Sequence, residues 1–162
     1  MTEFILTGGC LCESIRYKIT APPLRSYACH CKFCQKATGA AFRSAIGVEK
    51  TSFNITGQTL STYQHIIPEH GRAIWPSFCK TCGTGIGSTL ERFPELQVIN
   101  IGTLDQPEKI KVSMHYYSDE GLPWICYNST DKVFHQHRLN PDDTPATPRN
   151  LSTYGLPKWI GN

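Results

Sequence analysis

Polar and apolar residues alternate over Glu13–Thr20, with Ile15, Tyr17 and Ile19 on one face and Ser14, Arg16 and Lys18 on the other. A period of two marks a half-buried strand, and Pro22-Pro23 ends it. Leu24–Ala28 reads as a short extended piece. Lys32–Thr38 suits a short helical turn closed by Gly39, with its first backbone N–H groups aimed at the cysteines beside it. Strands are expected over Ala41–Val48, Ser52–Ile55, Leu60–Ile67 and Arg72–Phe78, the last two joined through Pro68-Glu69-His70-Gly71. Gly83–Thr89 reads as a turn and a short strand. Leu96–Ile101 and Ile110–Tyr117 are the last clear strands, with Gly102–Lys109 as the loop between them. Helical periodicity is otherwise scarce, so the chain is expected to be an all-β domain of short strands.

From about Arg138 the pattern changes. Pro141, Pro145, Pro148 and Pro157 punctuate a polar stretch, which reads as an extended arm. The division is therefore a domain over 1–137 and an arm over 138–162. Tyr154, Leu156, Trp159 and Ile160 near its end would be wasted on a free tail. The arm is expected to dock, on its own domain or on a second copy as a homo-oligomer.

The 162 residues suffice for one domain with a sizeable core. At 40% hydrophobic and 18% charged they are globular in composition. The net charge of +3 is mild and its basic residues are scattered, which argues against a nucleic-acid partner. The N-terminal residues carry no signal-peptide pattern and no run of apolar residues is long enough for a membrane span. The chain reads as cytoplasmic, where cysteines stay reduced and eight of them point to metal or catalysis.

Seven of the eight fall in three clusters: Cys10 and Cys12; Cys29, Cys31 and Cys34; Cys79 and Cys82. Closed zinc sites take four thiolates in a tetrahedron. The outer pairs can supply them, with Gly8-Gly9 and Gly83 giving the backbone room to bend. A disulfide or buried free cysteines are the bland alternative. The middle three lie within six residues and can hold one face of a zinc ion, leaving an exchangeable position as catalytic sites do. A thiolate-rich site suits a substrate thiol, held as the nucleophilic thiolate. Lys32 and Lys36 are placed to offset its negative charge. The same residues also allow a structural site completed by His30, His115 or a water, or a metal store. His30 and His115 are the candidates for proton delivery; Phe42 and Trp124 are candidates to line the pocket, with core packing the favoured role for either, and Cys126, a small apolar residue without a partner at ligand spacing, reads as buried.

Gly8-Gly9-Cys10-Leu11-Cys12, Ser14-Ile15-Arg16-Tyr17, Cys29-His30-Cys31 with Cys34 and Thr38-Gly39, and Phe78-Cys79-Lys80-Thr81-Cys82-Gly83-Thr84 come in an order and spacing that resembles the glutathione-dependent formaldehyde-activating enzyme family, which includes the centromere protein V-like proteins. Val98–Leu104, His115 and Pro123-Trp124 extend the likeness, which covers roughly residues 5–127. The resemblance implies a β-tent fold of small antiparallel sheets. It implies two zinc ions per chain: a structural one on Cys10, Cys12, Cys79 and Cys82, and a catalytic one on Cys29, Cys31 and Cys34. It implies glutathione as co-substrate and a carbon–sulfur lyase reaction, read in reverse as addition of the glutathione thiol to formaldehyde. Glu13 stands where the family usually has glycine, and the proline-rich arm has no counterpart. The competing readings are a zinc-stabilised binding module without catalysis, and a glutathione-dependent enzyme acting on another electrophile.

Overall fold

The computed structural model describes residues 4–151. Tyr154, Leu156, Trp159 and Ile160, on which the docking expectation rests, lie outside them. The chain forms two compact units. Among the described residues, one comprises 4–26 and 45–111, the other 27–44 and 112–151. The fold is all-β, with a single short α-helix among the described residues.

In the first unit, β1 (Leu6–Gly9) pairs antiparallel with β2 (Arg16–Ile19), with Leu6 opposite Ile19 and Gly9 opposite Arg16. The alternation of the sequence is realised here: Ile15, Tyr17 and Ile19 are buried while Arg16 and Lys18 are exposed. β5 (Phe53–Thr56) adds to the other edge of β2. Gly8 is required by close approach, since a Cβ there would sit 2.3 Å from both the Tyr17 hydroxyl and the Thr103 carbonyl oxygen.

A second set of strands follows. β4 (Arg43–Glu49) pairs with β10 (Phe93–Asn100), β10 with β9 (Gly85–Leu90), and β9 with β8 (Ala73–Cys79), all antiparallel. Ala45, Ile46, Val48, Ile86, Val98 and Ile99 from these strands form much of the core. The single strand expected over Leu60–Ile67 is two, β6 (Leu60–Thr62) and β7 (His65–Ile66), each paired with β8. Between them the Tyr63 amide reaches back to the Pro76 carbonyl. Pro76 itself offers no amide to the ladder, so the pairing breaks where it sits.

In the second unit β3 (Arg25–Cys29), β11 (Met114–Tyr116) and β12 (Lys132–Val133) supply parallel pairs: His115 lies opposite Ala28 and Tyr116 opposite Cys29 on one side, Met114 opposite Lys132 on the other. The strand expected over Ile110–Tyr117 is thus confined to its last residues. The carbonyl of Lys111 accepts from the Ser26 hydroxyl and not from a ladder amide. Helix α1 (Lys32–Thr38) lies where its composition places it, ending in Gly39 at φ 64°, the left-handed conformation that favours glycine. The early part of the arm packs on this unit. Ala146 joins a cluster with Cys29, Cys34, Tyr116 and Phe134, the Arg149 amide donates to the Val133 carbonyl at 2.6 Å, and the Arg149 guanidinium pairs with Asp119. Among the described residues no helix is long and apolar enough to cross a membrane.

Candidate metal centres

The first cluster sits where β1 turns toward β2. Cys10 and Ile15 close the turn through Cys10 N–H to Ile15 O at 3.1 Å, and Glu13 N–H returns to Cys10 O at 3.0 Å. That tight return puts Glu13 at φ 60°, a left-handed conformation that costs an ordinary residue about 1–2 kcal/mol. The third cluster mirrors it at the end of β8: Gly83 N–H donates to Cys79 O at 2.8 Å and Cys79 N–H to Thr84 O at 2.9 Å, with Gly83 at φ 74°. The two turns meet through Leu11 N–H and Thr84 Oγ1 at 3.2 Å.

The sulfurs of Cys10, Cys12, Cys79 and Cys82 all lie within 4.8 Å of one another. Cys10 and Cys12 are 3.5 Å apart, Cys12 and Cys79 3.7 Å. Sulfurs about 2.3 Å from a central tetrahedral ion stand about 3.8 Å apart, so the donor set fits a metal ion. It does not fit a disulfide, and all eight thiols are free. Three hydroxyls surround the sulfurs. Ser14 Oγ is 3.1 Å from Cys12 and 3.5 Å from Cys79, Thr59 Oγ1 is 3.4 Å from Cys79, and Thr84 Oγ1 is 3.1 Å from Cys82. Hydrogen bonds from Ser14 and Thr59 push the Cys79 thiol down to about 5, and the bond from Thr84 pushes Cys82 down to about 7. Cys79 therefore favours the thiolate at neutral pH, the form a metal takes, and Cys82 is drawn toward it.

The middle cluster is local. Cys29 ends β3, Cys31 caps α1, and Cys34 lies in its first turn. The Cys34 amide donates to Cys31 Sγ at 3.3 Å, so a helix N–H does point at a sulfur as expected. The three sulfurs lie within 4.8 Å of one another, Cys29 and Cys31 at 3.5 Å. Cys29 and Cys34 are buried, Cys31 partly so. Hydrogen bonds from Cys29 and Cys31, with the Arg43 guanidinium beyond them, hold Cys34 well below the ordinary thiol range.

The expected counter-charges are placed differently. Lys32 Nζ donates to the Glu120 carbonyl at 3.0 Å while the Glu120 carboxylate accepts from the Lys32 amide at 2.6 Å. Lys36 is exposed. Among the described residues a buried cation, Arg43, interacts with Cys34, nine residues beyond it in sequence and so invisible to a local reading of charge.

His30 and His115 do not join the sulfur group. His30 is fully buried, its Nε2 3.1 Å from His115 Nδ1, and His115 Nε2 lies 3.3 Å from the Asp131 carboxylate. A carboxylate only accepts, so His115 carries its proton on Nε2, and His30 must then donate from Nε2 to His115 Nδ1. Burial, then the neighbouring His115, pushes His30 down to about 4, and burial lowers His115 against the pull of Asp131. Phe42 and Tyr127 pack on the His30 ring at 5.2 and 5.6 Å between centroids. Two expectations fail. Trp124 is 50% exposed and Cys126 is exposed, its sulfur 3.9 Å from the Trp124 carbonyl. The loop that carries both, 121–127, holds neither a strand nor an α-helix. No element packs these side chains inward, although their residue types suit a core.

Two clusters of thiols at metal-ligand separation, four on paired turns and three on one strand-to-helix corner, define a β-protein with two cysteine groups that could each hold a metal ion. The chain belongs to the glutathione-dependent formaldehyde-activating enzyme family, whose model matches residues 5–120. A solved structure of a Rhodobacter sphaeroides protein aligns with a TM-score of 0.49 at 21% identity, covering 65% of this chain and 96% of that one. Comparison with functionally curated proteins finds no match.

Proposed function

We propose that this chain is a zinc-dependent carbon–sulfur lyase-type enzyme that joins the thiol of glutathione to formaldehyde or a related small electrophile. The observation that supports it is the unequal donor sets: four sulfurs in one cluster, three in the other among the described residues. Cys10, Cys12, Cys79 and Cys82 are read as holding a structural zinc; Cys29, Cys31 and Cys34 are read as the working site. Zinc bound by three protein thiolates would supply Lewis acidity to a thiol at its remaining position, keeping it ionised near neutral pH.

The residues around the working site have separable tasks. Cys31 and Cys34 are fixed to each other by the helix-capping bond, so the donor geometry is set before any ligand arrives. Gln35 donates to the His30 carbonyl at 2.5 Å and the Glu120 carbonyl at 2.9 Å, pinning the ligand loop to the 118–121 turn. The overall reaction balances simply. A carbon–sulfur bond forms, the carbonyl π pair moves to oxygen, and that oxygen receives the proton lost by the thiol.

The test is metal analysis with glutathione titration, followed by rate measurement. Two zinc ions per chain, glutathione binding, and adduct formation faster than the spontaneous reaction are expected. Cys31→Ser should remove the rate and leave the circular dichroism unchanged. Two tightly held metals without thiol binding would refute the enzyme reading in favour of a zinc-stabilised binding module. Catalysis with another aldehyde but not with formaldehyde would move the substrate and leave the site.

A further inference from the structure

The four cysteines of the paired turns are unequally covered. Cys10 and Cys79 are buried, Cys82 is half-buried and Cys12 is exposed. A sulfur that binds a metal has given up its proton and only accepts hydrogen bonds, so the hydroxyls beside it must donate. Ser14 Oγ and Thr59 Oγ1 are 2.6 Å apart, and that bond uses one of their two protons. The other proton goes to a sulfur. The shortest contact open to it runs from Ser14 Oγ to Cys12 at 3.1 Å, against 3.4 Å from Thr59 to Cys79 and 3.5 and 3.6 Å from Ser14 to Cys79 and Cys10. The order of donation is therefore Thr59 to Ser14 to Cys12. A second chain of the same kind serves Cys82. The Leu11 amide donates to Thr84 Oγ1 at 3.2 Å, and the Thr84 hydroxyl donates to Cys82 at 3.1 Å. Each hydroxyl is polarised by a donor behind it, which strengthens the bond it gives. Buried Cys10 takes a backbone bond instead, from the Ile15 amide at 3.3 Å. The hydroxyls thus serve the two sulfurs that solvent reaches.

We infer that Ser14 and Thr84 are positioning residues for the metal site of Cys10, Cys12, Cys79 and Cys82: hydroxyl donors, each backed by a second donor, that fix the two solvent-facing ligands and raise the site's hold on a divalent, sulfur-preferring ion. The inference rests on the reading of this cluster as a metal centre. Four thiolates around a divalent ion carry two surplus negative charges, and donors aimed at sulfur spread that charge without a cation. A fixed hydroxyl also holds its ligand in one orientation, which a passing water does not. The second chain crosses between the turns, since Leu11 of one backs the donor to Cys82 of the other.

The test uses the full chain loaded with zinc and a competing chelator of known affinity. The three-cysteine cluster serves as internal control. Ser14→Ala and Thr84→Val should each weaken retention of one zinc equivalent by about tenfold or more, within the range usual for losing a hydrogen-bonded partner of a metal ligand, and leave the other unchanged. Ser14→Thr and Thr84→Ser, which keep the hydroxyl, should lose less than about tenfold. Cobalt-loaded protein supplies a readout that a merely structural role would not move. The sulfur-to-metal charge-transfer absorption should shift to lower energy in Ser14→Ala, because a thiolate without its donor gives up an electron more readily, and should return in Ser14→Thr. The idea is overturned if either truncation loses less than about tenfold, if the hydroxyl-keeping variants fall as far as the truncations, if both equivalents weaken together, or if the absorption does not shift. Ser14 is exposed, so its truncation opens no cavity. Should either truncation still fail to fold, the hydroxyl-keeping variant at that position decides alone: a loss beyond about tenfold refutes the donor role. A parent chain that binds fewer than two equivalents would refute the metal reading itself, a result distinct from a parent with two equivalents and an indifferent Ser14→Ala.

Discussion

Cys79→Ser is the sharpest perturbation of the four-cysteine centre. Cys79 is fully buried at the end of β8, and its sulfur lies 3.7 Å from that of Cys12, 67 residues away. A metal across this gap ties the β1–β2 turn to β8. Treated as a cross-link of that loop length, it removes about 4 kcal/mol of chain entropy from the unfolded state. The loss of ligand bonds adds to this, since apparent binding free energies of structural zinc run to about 10–16 kcal/mol. Net domain stability is about 5–15 kcal/mol. Even the entropic part alone is a large fraction, and the sum should abolish folding. The assay is urea unfolding followed by tryptophan fluorescence and far-ultraviolet circular dichroism, with and without chelator, on Cys79→Ser and Cys31→Ser side by side. Cys79→Ser should have no cooperative transition, while Cys31→Ser keeps one. A Cys79→Ser chain that unfolds cooperatively within about 2 kcal/mol of the parent, well under the loop-closure figure alone, would show that no metal bridges the turns.

Three further outcomes follow from local geometry. Glu13→Gly relieves the left-handed conformation at φ 60°; the relief, less the extra freedom glycine gains on unfolding, should stabilise by under about 1 kcal/mol and raise Tm by about 2 °C, and a lower Tm would contradict it. His30, held down to about 4 against an ordinary 6.5 or so, binds fewer protons folded than unfolded between those values, so stability is full above about pH 6.5 and falls as pH drops toward 4. The loss by pH 5 is about 2 kcal/mol; urea midpoints of zinc-loaded parent and His30→Gln at pH 7 and pH 5 should show that excess loss in the parent alone, and parallel losses would refute it. Cys126, exposed and outside both clusters, should be the single thiol alkylated rapidly in metal-loaded protein, with the seven others reacting only after chelation. Protection of Cys126, counted by mass spectrometry, would place it in a third contact.

Both cysteine clusters were legible because each half of a thiolate site is made by a turn of three or four residues, and turns are local. Alternation at Ile15, Tyr17 and Ile19 was legible for the same reason, as was α1, bounded by a capping cysteine and Gly39. Missed features depend on partners distant in sequence. β1 and β12 are only four and two residues long and exist through pairing with β2 and β11. The parallel pairing of β3 with β11 brings together residues more than eighty apart, and no local pattern announces strand direction. Ser14 looked like the polar face of a strand, yet its hydroxyl touches three cluster sulfurs and Thr59. Arg43 looked like one basic residue among sixteen. Trp124 and Cys126 show the converse error, where residue type suggested a core that no element builds.

The two clusters also differ in when they can form. Cys29, Cys31 and Cys34 span six residues, so closing them around an ion costs little chain entropy and needs only one corner of the fold. The other four ligands cannot meet until residue 82 has been made and β8 has found the β1–β2 turn. Because loop closure grows costlier with separation and chains emerge from the N-terminus, metal entry at the two proposed sites would be ordered. On the two-metal reading, a growing chain would capture its first ion at the middle cluster and its second only as the fold completes. Scarce metal would then leave chains loaded at the working cluster and open at the one that holds them together, marking them for removal before they accumulate.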